Sequence, residues 1–355
     1  MTERDDYALV SRDAPEIDPP LLDYRPKRLE ADHRIAVVGA GGISFAHLDA
    51  YRSHGIEVAV ILSRDESKAR ARAEEFFPDA EVMTDFDQLL RRDDIEVLDL
   101  TPHPEQRLAL IERSLEAGKH VLSQKPFVTD LDAGLRLCDL AESRNLKLAV
   151  NQNGRWAPHM AWMREAVRQG LIGEVMSVHA GLHWDHTWIR GTPFEQMEDV
   201  ILFDFGVHWF DFVTSVFRRP ARRVYAQTVK GNDGFAEVPL LATTVMEFDG
   251  AQASLVFDAS TRFGARDATY ISGTSGSLVA SGPDLGRQTV ELYTEAGVAR
   301  PKLFGQWFND GFAGALCELL AAIETGAEPE NGARENLISL ANCFAALRSA
   351  QTGAT

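Results

Sequence analysis

The chain is poor in cysteine and lysine, and it has no long hydrophobic run. Its three cysteines, Cys138, Cys317 and Cys343, are far apart in 355 residues and each sits in an apolar stretch. That pattern excludes a disulfide framework and a C-x-x-C site. Nothing approaches the roughly 20 consecutive apolar residues of a membrane helix. The first 30 residues are acidic and proline-bearing, without the apolar segment of a secretory signal, so the expected location is the cytoplasm. A formal charge of −17 excludes the clustered basic surface that tracks nucleic-acid phosphates. Of 36 basic residues only seven are lysine, so Lys125 is not a casual choice of surface charge. What remains is ample: a hydrophobic content of 45% in a chain of this length supports a large core and favours two domains.

Residues 1–33 hold four prolines and no regular apolar period, which reads as an arm, either a solvated tail or a segment lying on a partner subunit. From residue 34 apolar strands (34–38, 57–62, 97–100, 120–123, 147–150) alternate with helical stretches (43–54, 66–77, 86–91, 104–117, 131–143). Repeated βα units with continuous apolar strands predict a doubly wound parallel sheet over residues 34–153, with ligands at the strands' carboxyl ends. Beyond it the pattern changes. A helix at 159–169 precedes strands at 174–183, 223–228, 241–249, 251–258, 268–273 and 276–279, with a hairpin turn at Asp249-Gly250. Helices follow at 307–325 and 336–349, the latter with Leu337, Leu340, Ala341 and Phe344 on one face. Residues 154–355 are therefore expected to form a second α/β domain with an open, mostly antiparallel sheet.

Two segments carry the chemistry. Gly39, Gly41, Gly42, Ile43 and Ser44 lie between a β-branched run and a helix, the strand-turn-helix setting in which glycine backbone and free helix-start N–H groups can bind a pyrophosphate. About eighty residues on, Gly118-Lys119-His120-Val121-Leu122-Ser123-Gln124-Lys125-Pro126 places a lysine at a strand end, held in a non-helical loop by the following proline. Thr101-Pro102, Gln124-Lys125 and Asn151-Gln152-Asn153 all follow strand ends and are expected to rim one crevice. Asp204 and His208 are four apart on an expected helix, hence neighbours on one face. A carboxylate there would orient the imidazole and favour its protonated form.

With these segments, Arg155-Trp156 and Asp204-Phe205-Gly206-Val207-His208-Trp209-Phe210-Asp211, the chain resembles the Gfo/Idh/MocA (glucose-fructose oxidoreductase, inositol dehydrogenase) family over residues 34–350. The resemblance implies a Rossmann domain and a C-terminal domain whose sheet often forms the subunit interface, in a homodimer or homotetramer. It further implies NAD(P)-dependent hydride transfer at a secondary hydroxyl of a sugar or cyclitol. By the family pattern His208 is the general base, Asp204 a substrate or orienting contact, and Lys125 a cation that lowers the energy of the alkoxide. Two departures stand out: Gln124 where the family usually has glutamate, and Gln106 near where many members carry histidine. Two further function classes use the same residues differently. One is a redox-neutral sugar enzyme that oxidises its substrate transiently; the other is a non-catalytic dinucleotide sensor.

The second strand ends in Ser63-Arg64-Asp65. Ser63 and Arg64 suit the NADP phosphate, whereas Asp65 either contacts the NAD ribose or merely caps the next helix. Both cofactors stay open. His179, His183 and Asp185 would share a strand face, which admits a metal reading, but no fourth ligand completes a site and none is expected. Trp184, His186 and Trp188 are expected to stack on or hydrogen-bond a sugar, and Arg155, Trp156 and His159 are further candidates for the pocket.

Overall fold

In a computed structural model, residues 14–354 other than 232, 233 and 235 are described. The elements run β1 (Glu16–Ile17), β2 (Ile35–Val38), α1 (Ser44–Ser53), β3 (Val58–Leu62), α2 (Glu66–Phe76), β4 (Glu81–Met83), α3 (Phe86–Leu90), β5 (Val97–Leu100), α4 (Pro104–Glu116), β6 (His120–Gln124), α5 (Leu131–Ser143) and β7 (Leu148–Asn151). There follow α6 (Pro158–Arg168), β8 (Val175–His183), α7 (Val207–Phe217), β9 (Arg223–Val229), β10 (Leu241–Phe248), β11 (Ala251–Asp258), β12 (Arg266–Gly273), β13 (Gly276–Asp284), β14 (Arg287–Thr294), β15 (Gly297–Ala299), α8 (Asn309–Thr325) and α9 (Ala333–Thr352).

Among the described residues the strands form two sheets. The first is parallel, in the order β4-β3-β2-β5-β6-β7. Its central strands are almost wholly buried, as their mainly apolar composition requires of a sheet covered on both faces. The order reverses between β2 and β5, so the loops after these two strands open a crevice there. The second sheet is mostly antiparallel, in the order β1-β15-β14-β13-β12-β8-β11-β10-β9. Burial alternates along its strands, with one face under α6, α7 and α9 and the other uncovered.

Two parts of the chain depart from expectation. Within residues 14–33, expected as an arm, β1 adds to the chain's own large sheet beside β15. Lys27 then pairs with Glu318 at 2.9 Å, and His33 sits between Glu96 and Glu324. The expected arm at residues 1–13 lies outside the described residues. The second departure is that α8 and α9 return to the first sheet. Phe312, Leu316, Leu319 and Leu320 of α8 share a core with β2, β3 and α1, and Leu340 of α9 joins the core under α5. Segment 154–355 thus supplies part of the cover of the first sheet.

A buried ion pair fixes the junction. Arg155, in the 3-10 turn Asn153–Trp156, donates from Nε and Nη2 to the two carboxylate oxygens of Asp211 on α7, at 2.6 and 2.9 Å. Both side chains are 1% exposed. Ser339 and Asn336 of α9 also donate to Asp211, and Arg155 reaches the carbonyl of Glu330. Arg155→Met would leave a buried carboxylate uncompensated, a loss of about 3–5 kcal/mol. Urea denaturation should read a fall of that order; a change within about 1 kcal/mol would mean that the pair is dispensable.

Candidate active site

The loop after β2 is shaped by its glycines. Gly39 has φ +107°, and a Cβ there would come 2.4 Å from Thr101 Oγ1, which itself donates to the carbonyls of Val38 and Gly39. Gly41 and Gly42 face open space. The start of α1 has no side-chain cap and no acidic residue in its first turn. Bare helix-start amides beside side-chain-free glycines fit an anionic pyrophosphate, so this chain's own residues accept a dinucleotide: Gly39 to Ser44 on one side, Thr101 and Pro102 on the other.

The turn at the end of β3 carries Asp65 and Arg64. Asp65 caps α2, its Oδ1 accepting from Ser67 N, Ser67 Oγ and Lys68 N. Arg64 is exposed and leans across the crevice, its Nη2 3.4 Å from Gln106 Oε1 at the start of α4.

Lys125, joined to Pro126 by a cis peptide, lies at the end of β6. Its ammonium donates to the Asp204 carbonyl at 2.8 Å and to Asp204 Oδ1 at 3.1 Å. Asp204 lies in a wide-wound turn, Val200–Phe205, that precedes α7. There Gly206 N–H bonds back to the carbonyl of Ile201, and a Cβ at Gly206 would collide with the carbonyls of Ile201 and Leu202. This wider winding shifts Asp204 off the face it would share with His208 on a regular helix. The carboxylate pairs with Lys125 instead.

His208 therefore behaves opposite to the sequence expectation. It is 9% exposed, with Nδ1 buried and unpartnered. Burial, and after it the Lys125 ammonium, hold its pKa well below the ordinary value. At neutral pH it is a neutral imidazole. Gly154 lies against it, where a Cβ would sit 3.6 Å from both its Cβ and its Nδ1.

A family profile described as an oxidoreductase family with an NAD-binding Rossmann fold matches residues 33–152, and the GFO/IDH/MocA C-terminal domain matches 160–279. The chain belongs to the GFO/IDH/MocA family. An uncharacterized oxidoreductase of Schizosaccharomyces pombe is 29% identical over 53% of this chain; the chain matches only about half that relative's length, 52%. The D-apiose dehydrogenase of Paraburkholderia graminis is 25% identical over 90% of this chain and 88% of its own. Among solved structures, an oxidoreductase of Agrobacterium radiobacter in complex with NAD+, L-tartaric acid and magnesium superposes with a TM-score of 0.81. It is 20% identical and covers 91% of this chain and 97% of its own.

The other candidates divide. Trp184 and His186 stack at 5.9 Å, both against Phe205 next to Asp204, and form a wall by the Lys125–Asp204 contact. Burial pushes His186 down to about 4, so it too is neutral. Trp188 continues the wall and is 56% exposed. Arg155 and Trp156 turn away. The Arg155 guanidinium is spent on Asp211, and the Trp156 ring is pressed against Gly314 of α8, so both leave the candidate substrate set. His159 is buried with neither nitrogen partnered, at a pKa of about 3. Asn153 is tied to Trp307, whose Nε1 donates to its Oδ1. His179 bonds Ser254, His183 lies 3.7 Å from Asp258 and Asp185 caps the turn at Thr187. Among the described residues no three His, Cys, Asp or Glu converge as a metal site.

Gln124, in the family's glutamate position, is part of a buried network that sequence reasoning missed. Its Oε1 accepts the Lys125 N–H at 2.5 Å, and its Nε2 lies 3.2 Å from His47 Nε2. Asn151 Nδ2 approaches the same nitrogen, while His47 Nδ1 and the Tyr51 hydroxyl both meet Asp99 Oδ2. With amides on Nε2, the Nδ1–H donates to Asp99, and no second buried carboxylate is needed. The signal was present: a lone aspartate in the apolar strand Val97–Leu100 needs a buried partner.

Lys125→Met removes one of the two influences on His208 and leaves its burial intact. Its pKa should rise while staying below the ordinary histidine value, because burial, the larger influence, persists. NMR titration of the ten histidines, assigned with His208→Asn, reads this directly. An unmoved His208 would place Lys125 outside its electrostatic reach.

Proposed function

We propose that the protein is an NAD(P)-dependent dehydrogenase acting on a secondary hydroxyl of a sugar, sugar derivative or cyclitol. The observation that carries the reading is the Lys125 ammonium, held by Asp204 beside a neutral His208 at the carboxyl ends of a parallel sheet. A nicotinamide, when bound, would supply hydride exchange with the substrate carbon as that carbon passes between carbinol and carbonyl. His208 takes the hydroxyl proton as the hydride leaves, and its depressed pKa keeps it in the accepting form at neutral pH. Lys125 donates to the substrate oxygen and stabilises its developing negative charge. Asp204 holds the ammonium in place and keeps the local charge balanced.

Gly39, Gly41, Gly42 and Ile43 would hold the pyrophosphate, Ser63 and Arg64 the adenosine ribose, and Thr101, Pro102, Gln124 and Asn153 the nicotinamide side of the crevice. Asp65 caps α2 through Oδ1, and the exposed Arg64 guanidinium beside it suits a ribose phosphate, which favours acceptance of NADP. Trp184 and His186 offer an apolar, hydrogen-bonding wall to the substrate. The uncovered face of the large sheet, where Tyr225, Val229, Val245 and Tyr270 are exposed, is the surface for a second copy of the chain. The relative that acts on D-apiose and the family's oxidoreductase description support the same class.

The test is nicotinamide absorbance with a panel of aldoses, cyclitols and sugar acids, run with NAD and with NADP. Steady accumulation of reduced cofactor establishes a dehydrogenase. Cofactor binding without accumulation on any member of the panel points to the redox-neutral enzyme or the sensor. Arg64→Ala should weaken NADP by roughly 10- to 100-fold, the worth of a charge-assisted hydrogen bond, and leave NAD nearly unchanged. Equal losses for both cofactors would remove Arg64 from phosphate recognition.

A further inference from the structure

Arg107, on the first turn of α4, has no part in the chemistry above and yet is 1% exposed. Among the described residues no carboxylate lies within ion-pair distance of it, and its Nε is buried without a partner. Burial lowers its pKa to about 9, countered only by a weak influence from Glu105. A buried cation without a counter-charge is costly, and an apolar side chain of similar volume would stabilise the same position better. What the guanidinium does make are two hydrogen bonds to carbonyls: Nη1 donates to Pro102 at 2.7 Å, and Nη2 donates to Pro126.

Those carbonyls belong to the two loops that rim the crevice. Pro102 follows Thr101, whose hydroxyl clasps the glycine turn. Pro126 follows Lys125. The planar fork of Arg107 therefore spans from the loop that would hold the dinucleotide to the loop that carries the catalytic ammonium, a geometry a lysine cannot reproduce. We propose that Arg107 is a positioning residue that sets the Lys125 ammonium relative to Asp204 and His208 by tying the Thr101-Pro102 loop to the Lys125-Pro126 loop. The inference rests on the reading of Lys125 and His208 as the site.

Lys119 provides the control. It is also a buried cation bonded only to carbonyls, those of Arg92 and Ile95, but it precedes β6 and so lies at the opposite edge of the sheet from Lys125. Any variant of it tests loss of a buried cation without disturbing the crevice.

The experiment is the His208 imidazole titration by NMR in the ligand-free full chain. It is applied to the parent protein and to Lys125→Met, Arg107→Met, Arg107→Lys and Lys119→Met, with thermal unfolding of each. Lys125, and not Arg107, is the charge that acts on His208, so a shift on changing Arg107 reports a displaced ammonium. Arg107→Met should raise the His208 pKa by more than half of the Lys125→Met shift. Arg107→Lys, which keeps the charge and one carbonyl, should raise it by less. Lys119→Met should leave His208 where it was. If Lys125→Met moves His208 and neither Arg107 variant does, Arg107 is structural and the proposal is overturned with the site reading intact. If Lys125→Met itself moves nothing, the site reading fails and this proposal with it. Should Arg107→Met not fold, Arg107→Lys and Arg107→Gln, each retaining one donor, read the same quantity.

Discussion

The arrangement around the crevice depends on one buried ion pair. Asp211 lies three residues after His208 on α7, nearly one turn along, and Arg155 follows Gly154, the residue that abuts His208. Locking Arg155 to Asp211 therefore fixes α7 against the 3-10 turn after β7, and α9 is drawn into the same place through Ser339 and Asn336. A pair so fully desolvated gives little net stability relative to apolar packing, but its geometry is unforgiving, because either charge alone is expensive to bury. It fixes the place where the first sheet meets the helices of the second, and His208 inherits its position from it.

The second consequence is electrostatic. Lys125 and Asp204 are 79 residues apart and come from different sheets' connections, and they meet across the crevice at 3.1 Å. Asp204 is thereby removed as a partner for the imidazole, and Lys125 becomes the charge that His208 experiences. Burial and a nearby cation act in the same direction on a histidine, both favouring the neutral form. The wide turn at residues 200–205 is what makes this possible, since a regular helix would have aligned the carboxylate with the ring. Burial is the larger of the two influences, and the wide turn goes with the second by leaving Asp204 paired to Lys125.

Much of this was legible in the sequence, and the reason is local. Val37, Val38, Ile61, Leu62, Leu98, Leu100, Val121 and Leu122 sit in short, mainly apolar runs, so the first sheet is written in composition. The glycine turn and Lys125 are placed by neighbours in sequence, Gly39 by its strand and Lys125 by its proline. What was not legible depends on partners far along the chain. The two-residue β1 has no pattern of its own and exists only because β15 offers an edge. Similarly β4, with three residues, is defined by pairing with β3. Nothing in Arg155 distinguishes a pocket guanidinium from one consumed by Asp211, and an i, i+4 spacing conceals a turn wound by one extra residue. The return of α8 and α9 to the first sheet was equally silent, because an amphipathic helix states which face is apolar but not which sheet it covers.

The charge of the whole chain and the charge of the crevice point in opposite directions. A molecule with a formal charge of −17 repels a dinucleotide at long range, and composition alone would argue against an anionic ligand. At physiological ionic strength, however, the field of exposed charges is screened over about 8 Å, so what a cofactor meets at the rim is set by the nearest groups. There the glycine turn presents bare amides, Asp65 is spent on its own helix, and Arg64 reaches over the opening toward Gln106. Asp204, the carboxylate closest to the reacting end, is matched by Lys125. The acidic excess is thus compatible with an anionic cofactor, because the carboxylates nearest the rim are engaged within the protein, Asp65 at the start of α2 and Asp204 with Lys125.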